Sequence, residues 1–279
     1  MFWKKFISLL VLIVFLIWLS ALKYDGSNLH VVACDVGQGD AILITQGASQ
    51  VLIDGGPDSR VLECLGEYLP FWDRKIELVV MTHPQKDHYG GLTEVMDRYQ
   101  VDSFLKTDAT SSSQDFEVLE RMVGGGGIKV IQPKTGLDIR VGLMYLEIVY
   151  PPENVNIAED RDPNDFSVVL KLKYGEFDAL FTGDMGPNIV SEVIGTGLIG
   201  DIEYLKVPHH GSKNGLTQEM LEATTPEVAV VSAGRNNRYG HPHQEVLGML
   251  DDIGVNILRT DLVGSVEVVT NGSTFWVEN

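Results

Sequence analysis

Cysteine is almost missing from this chain: Cys34 and Cys64 are the two that occur. Their number and spacing build no disulfide framework, and no Cys-x-x-Cys pair offers a thiolate metal site. Both read as buried thiols, with Cys34 a strand residue beside Val31-Val32-Ala33. Basic side chains are also scarce, since 21 Lys and Arg face 39 Asp and Glu for a net charge of −18. That balance excludes a broad electropositive nucleic-acid surface, whose affinity comes from neutralising phosphates. It leaves a phosphate-containing substrate open, because bound cations reverse the local potential inside an acidic protein. Charged residues make up 22% of the chain against 44% hydrophobic, which excludes global disorder. Long uncharged apolar runs are missing as well, with one exception at the N-terminus.

That exception is Phe6 to Leu22, preceded by Lys4-Lys5. As a helix it would reach about 25 Å, the short end for a bilayer. Trp3 and Trp18 stand near its ends, where membrane interfaces favour tryptophan. The pattern predicts a transmembrane anchor over residues 1–22, a polar linker over 23–28 and one domain over 29–279. It also predicts a single-pass protein of the cell membrane, with the lysines inside and an extracytoplasmic C-terminal domain. The alternative is a cleaved signal segment and a secreted chain, although the small-x-small pattern around Ser20-Ala21 is poor.

The rest interleaves short strands with helices. Strands are expected near 30–35, 41–45, 51–53, 77–82, 101–106, 128–132 and 143–149, with helices near 59–69, 92–99 and 114–123. Gly124 to Gly127 reads as a surface loop. Val168 to Leu172 and Phe177 to Phe181 read as a hairpin. Strands near 204–207, 228–232, 255–259 and 264–269 follow, with helices near 187–194, 216–223 and 243–252. This alternation predicts one layered α/β domain with two sheets.

Histidine is rare but concentrated. Of seven, six lie in Thr82-His83-Pro84-Gln85-Lys86-Asp87-His88, Pro208-His209-His210-Gly211-Ser212 and Gly240-His241-Pro242-His243. A further carboxylate, Asp184, ends the apolar run leading into Phe181-Thr182-Gly183-Asp184. Imidazoles and carboxylates on separate loops suit a zinc, manganese or iron centre, and the chemistry such a centre supports is metal-dependent hydrolysis.

These segments resemble the metallo-β-lactamase superfamily, and within it the hydrolase domain of ComEC/Rec2 DNA-internalisation proteins. Asp35-Val36-Gly37-Gln38-Gly39-Asp40-Ala41, Leu52-Ile53-Asp54-Gly55-Gly56 and Asn237-Arg238-Tyr239-Gly240-His241-Pro242-His243 share in the likeness, in the family's order, across about residues 29–278. The resemblance implies an αββα sandwich with one or two divalent ions, Zn or Mn, at one edge. It implies metal ligands at His83, Asp87, His88, Asp184, His209 and His241. His209 is expected to face the centre, with His210 orienting it or protonating a leaving group. Gln85 stands where the full superfamily motif has a second histidine. Asp35, Gln38, Asp40, Asp54, Gln85, Ser212 and His243 are expected to support ligands or substrate, and Asn164-Asp165-Phe166-Ser167 to border the cleft.

The reaction the resemblance implies is phosphodiester hydrolysis, with Asp87 orienting the attacking water and His210 or His209 assisting the departing oxygen. DNA is the leading substrate class and a small phosphodiester the next, with DNA uptake through a membrane partner as the setting. Arg235, Arg238 and Lys213 would supply local positive charge. Two other readings are an amide or ester hydrolase and a non-catalytic module that binds nucleotide or DNA. Gln85 argues against the first; metal binding without turnover would favour the second.

Overall fold

The structure is a computed structural model that describes residues 2–22, 26–153 and 162–278, and in the first helix the side chains of 3–15. Among the described residues the strands form two sheets. The first contains β1 (Leu29–Ala33), β2 (Ile42–Gln46), β3 (Ser49–Ile53), β4 (Lys75–Val80), β5 (Gln100–Leu105) and β6 (Lys129–Ile131). The second contains β7 (Asp138–Val141), β8 (Met144–Tyr150), β9 (Val169–Tyr174), β10 (Phe177–Phe181), β11 (Tyr204–Lys206), β12 (Val228–Val231) and β13 (Asn256–Arg259). The chain then returns to the first sheet with β14 (Val266–Thr270) and β15 (Phe275–Glu278). The orders are β15-β14-β1-β2-β3-β4-β5-β6 and β13-β12-β11-β10-β9-β8-β7.

Period-two alternation explains the layering, because successive strand side chains point to opposite faces. Leu29, Val31 and Ala33 of β1 meet Leu170, Leu172, Ala179 and Phe181 from the other sheet in a central core. The opposite face of the first sheet, with Val32, Leu43, Leu52 and Val79, is covered by α2 (Val61–Tyr68), α4 (Leu92–Arg98) and α5 (Gln114–Gly125). The outer face of the second, with Leu180, Leu205 and Val231, is covered by α6 (Val190–Gly195), α7 (Gln218–Thr224) and α8 (Gln244–Asp252). Each buried Leu, Ile or Phe contributes about 1.5–3 kcal/mol to holding these layers together. The result is the expected αββα sandwich.

Three expectations change. The first helix, α1, runs Phe2–Leu22, but among the described residues no helix is long and apolar enough to cross a membrane. Its described side chains, Trp3 to Phe15, include Lys4 and Lys5 and would reach about 20 Å, short of the roughly 30 Å hydrocarbon layer. This overturns the expected transmembrane span, and with it membrane attachment through that helix and the single-pass, extracytoplasmic topology. Residues 23–25 of the expected linker lie outside the described residues.

Second, Cys34 and Cys64 are not free thiols but a disulfide, with Cα atoms 5.8 Å apart. Cys34 follows β1, and α2 packs Cys64 over the same sheet face. Third, α5 continues through Gly124 and Gly125, so the glycine run is half helix. Two strands escaped the sequence pattern: β7, with one buried residue, and β15, with none.

Candidate metal centre

The chemistry-bearing loops all leave the same edge of the sandwich. β3, β4 and β5 run parallel in one sheet, and β10, β11, β12 and β13 in the other. Loops after parallel strands collect at the strands' carboxyl ends, which is why residues so far apart in sequence converge. The loop after β3 delivers Asp54, that after β4 His83, and α3 (Lys86–Tyr89) presents Asp87 and His88. The loop after β10 delivers Asp184, and that after β11 His209 and His210. Gly183, at φ 51°, lets the two sheets' loops touch, since a Cβ there would lie 2.9 Å from Thr82 Cβ. A Cβ on Gly39 would collide with the Asp87 carbonyl oxygen.

His88 is fully buried, and its Nδ1 lies 2.8 Å from Asp54 Oδ2. Thr82 fixes that carboxylate, donating from its backbone N–H to Oδ1 at 2.8 Å and from its hydroxyl to Oδ2 at 2.7 Å. Asp54 sits at φ 59° and His209 and His210 at 53° and 54°, a left-handed backbone that side chains adopt where their surroundings impose it. His88 Nε2 then points at Asp184, 3.2 Å from its Oδ1. His210 Nε2 lies 3.4 Å from Asp184 Oδ2 and 3.6 Å from Asp87 Oδ2. The His210 Nδ1 is 3.0 Å from the Ser232 carbonyl oxygen, its acceptor.

Ligand atoms of His83, His88 and Asp184, and likewise of Asp87, His88 and His210, fall within 4.8 Å of one another. The atoms turned inward face one another: His83 Nε2, His88 Nε2, His210 Nε2 and Asp184 Oδ1 have no well-aligned hydrogen bond, and His88 and His210 make only ion-pair contacts with the carboxylates of the cluster. Buried polar atoms are nearly always well hydrogen-bonded, so imidazole nitrogens and carboxylate oxygens that converge within 4.8 Å of one another without good hydrogen-bond geometry fit a divalent ion. The set is nitrogen and oxygen throughout, as borderline and hard divalent ions prefer.

Burial and the neighbouring His88 push His83 down to about 3, leaving its imidazole neutral and free to ligate. Burial, aided by His210 and His209, likewise takes His241 to about 4. Burial opposes charge on His210 too, yet Asp184 and Asp40 outweigh it and hold the ring at about 9. Asp184 resists burial through His210 and His88 and stays well below the usual carboxylate range. Without an ion, protons on His88 and His210 therefore balance the carboxylates.

The remaining expected residues sit around this nucleus. His209 is the more exposed of its pair, with Nε2 3.7 Å from Asp184 Oδ2 and its side chain 23% exposed. The His241 ring stands 5.8 Å from that of His209 and 6.4 Å from that of His210, with its Nδ1 3.4 Å from Gln38 Nε2. Gln38 Oε1 accepts from the Gly234 N–H at 3.2 Å, tying the early glycine loop to the late one. Gln85 donates to Asn164 Oδ1 at 2.7 Å, which brings the Asn164 segment to the cleft. Asp40 is buried beside His210, 3.3 Å from its Nδ1. Asp35, Ser212 and His243 serve the backbone: they accept from the N–H groups of Gly37, Asn214 and Lys213 respectively.

Three contributors were missed by sequence reasoning: Thr82, the Ser232 carbonyl and Lys206. Only Lys206 left a signal, as a lone cation inside the apolar run Tyr204-Leu205-Lys206-Val207; a charge in such a strand needs a buried partner. Beside Asp87 opens a cavity of about 510 Å³, lined among others by Gln38, Arg60, Gln85, Arg238 and Tyr239.

Comparison with known families agrees with this geometry. The Metallo-beta-lactamase superfamily matches residues 34–235. The chain belongs to that superfamily. With its converging ligand atoms, it is a metal-dependent hydrolase whose His and Asp clusters suit one or two metal sites. It is 28% identical over 251 residues to ComE operon protein 3 of Bacillus subtilis, covering 84% of this chain and 32% of that protein. It is 27% identical over 240 residues to Recombination protein 2 of Haemophilus influenzae, covering 84% and 28%. The chain thus spans less than a third of these relatives' length. Among solved structures, the metallo-beta-lactamase fold protein YhfI from Bacillus subtilis aligns with a TM-score of 0.57 at 11% identity, over 90% of this chain and all of that one. Igni18, a metallo hydrolase from Ignicoccus hospitalis, aligns at 0.54 and 17% identity, over 85% and 98%. These two likenesses concern the fold alone.

Proposed function

We propose that this centre hydrolyses phosphodiesters and that DNA is its substrate class. The observation that carries the chemistry is the convergence of inward-facing ligand atoms on His83, His88, His210 and Asp184, none with a well-aligned hydrogen bond. The substrate class is supported by relatives named for competence or recombination, among them Competence protein ComA of Neisseria gonorrhoeae, 27% identical over 249 residues. The open cavity beside Asp87 also supports it, because Arg238 lines it together with Arg60 and Lys86, which pair with Asp58 and Asp115 at its border.

In this reading His83, Asp87, His88, Asp184 and His210 hold the ion or ions, with His241 and His209 completing the rim. A divalent ion held by these residues would supply Lewis acidity towards a phosphoryl oxygen and would make water a better nucleophile at neutral pH. The chain's own groups do the rest. Asp54 keeps Nδ1 of His88 occupied, so that Nε2, beside Asp184, would be the nitrogen left to ligate. Asp87 keeps 29% of its side chain exposed and offers a carboxylate oxygen that accepts a hydrogen bond from the incoming water and orients it. His209, at the rim rather than the floor, is placed to give a proton from Nε2 to the departing oxygen. Gln38 steadies His241, and the cavity receives the substrate on either side of the scissile phosphorus.

The test is hydrolysis of labelled single-stranded DNA, duplex DNA and bis-p-nitrophenyl phosphate by the metal-stripped chain after return of Mn²⁺ or Zn²⁺. Metal-restored cleavage of DNA is expected. Cleavage of the small diester alone would replace DNA with a smaller phosphodiester, and cleavage of neither would sink the reading.

A further inference from the structure

Lys206 is the last residue of β11, and the structure buries it completely. Its ammonium lies 2.6 Å from Asp40 Oδ2 and donates to the Val207 carbonyl oxygen at 3.0 Å. A buried ammonium costs several kcal/mol in lost hydration unless a partner repays it. Here the partner belongs to the other sheet: Asp40 lies on the loop between β1 and β2, whereas Lys206 comes from β11.

Asp40 has connections beyond that pair. Its second carboxylate oxygen is 3.3 Å from His210 Nδ1. Its backbone N–H donates to the Asp87 carbonyl at 3.1 Å, and its carbonyl accepts from the Gly56 N–H at 2.7 Å. One residue therefore touches the loop carrying Asp87, the loop that follows Asp54, and the His210 ring. The ligand set itself is divided between the sheets, with His83, Asp87 and His88 from one and Asp184, His209 and His210 from the other. Something has to hold the halves at the separation an ion requires, and the Asp40–Lys206 pair is a charged link across that divide.

We infer that Lys206 is a positioning residue of the metal centre: by fixing Asp40 it locks the two half-sites together and, with the Ser232 carbonyl that accepts from Nδ1, helps keep the His210 ring turned with Nε2 towards Asp87 and Asp184. The role rests on the metal-centre reading and adds to it a residue that touches neither ion nor substrate. A positioning group of this kind commonly changes metal affinity by ten- to a hundredfold.

The experiment titrates Co²⁺ into the metal-free full-length chain, following the visible absorption band and the dissociation constant, for the unaltered protein, Lys206→Met and the double variant Asp40→Asn/Lys206→Met. Both variants are expected to bind Co²⁺ at least tenfold more weakly, with an altered band. Removing both partners leaves no unpaired buried charge, so the double variant is expected to melt closer to the unaltered chain than Lys206→Met does. Should the single variant not fold, the double variant decides. An unchanged affinity and band in either folded variant would overturn the role of Lys206 alone. Failure of the unaltered chain to bind Co²⁺ would overturn the metal-centre reading and this role together.

Discussion

Each nitrogen of the His88 ring faces a carboxylate: Nδ1 meets Asp54 at 2.8 Å and Nε2 meets Asp184 at 3.2 Å. Asp54 sets which nitrogen is free for an ion, so Asp54→Asn is expected to weaken Mn²⁺ or Zn²⁺ binding by about ten- to a hundredfold. Competition titration against a chelating dye would measure it. Asp87→Asn is expected to leave the fold intact while lowering turnover by about 10²- to 10⁴-fold, read from steady-state hydrolysis and far-ultraviolet circular dichroism. The histidine clusters could be read from the sequence as candidate ligands because histidine is rare and clustered. Which of His209 and His210 lies deeper could not be read, because that depends on two consecutive left-handed residues that turn the loop. Lys206 showed as a lone cation in an apolar run, but its partner was hidden, since no pattern along the chain shows that its strand end meets the loop between β1 and β2.

The Cys34–Cys64 bond joins the end of β1 to α2 and closes a 30-residue separation. It restrains the segment that begins Asp35-Val36-Gly37-Gln38-Gly39-Asp40, and hence the approach of Asp40 to the centre. Replacing both cysteines by serine is expected to lower stability by about 2–5 kcal/mol, measured by denaturant unfolding of the metal-free chain. Equal midpoints for the two proteins would show that the bond adds nothing. Two cysteines without a motif gave no hint of pairing, because pairing depends on how α2 lies over β1. The hairpin of β9 and β10 was legible from its apolar runs around Gly175, whereas β7 and β15 were not, because few of their side chains are buried. Gly124 and Gly125 misled in the opposite sense: glycine disfavours helix, but Phe116, Leu119 and Val123 anchor α5 to the sheet and carry it through them.

For the whole molecule, the buried and half-buried histidines make the stability of the metal-free chain depend on pH in both directions. His210 rises from 6.5 to about 9 on folding. Its contribution is therefore complete below about pH 6.5 and is lost as pH climbs through about 9. His83 falls from 6.5 to about 3 and His241 from 6.5 to about 4. The unfolded chain takes up those protons first, so stability also drops as pH falls below about 6.5. Melting temperatures of the metal-free protein are expected to peak near neutral pH and to decline on both sides. Bound metal should flatten the alkaline limb, because it replaces the His210 proton. The two-sheet architecture was readable from the interleaving of short strands and helices, and the common edge for the candidate ligands only from the resemblance to the metallo-β-lactamase superfamily. The first helix was read from its apolar composition, and the described structure does not sustain the membrane span expected of it.

One edge of this sandwich is proposed to hold a catalytic metal between the two sheets. The most direct test is to strip the full-length chain of metal, return Mn²⁺ or Zn²⁺ in measured steps, and follow bound metal and hydrolysis of bis-p-nitrophenyl phosphate together, with Asp184→Ala alongside. The expected result is hydrolysis that rises with occupancy and saturates at one or two ions per chain, while the folded Asp184→Ala variant binds weakly and stays inactive. Equal hydrolysis with and without metal, or full activity in Asp184→Ala, would contradict it.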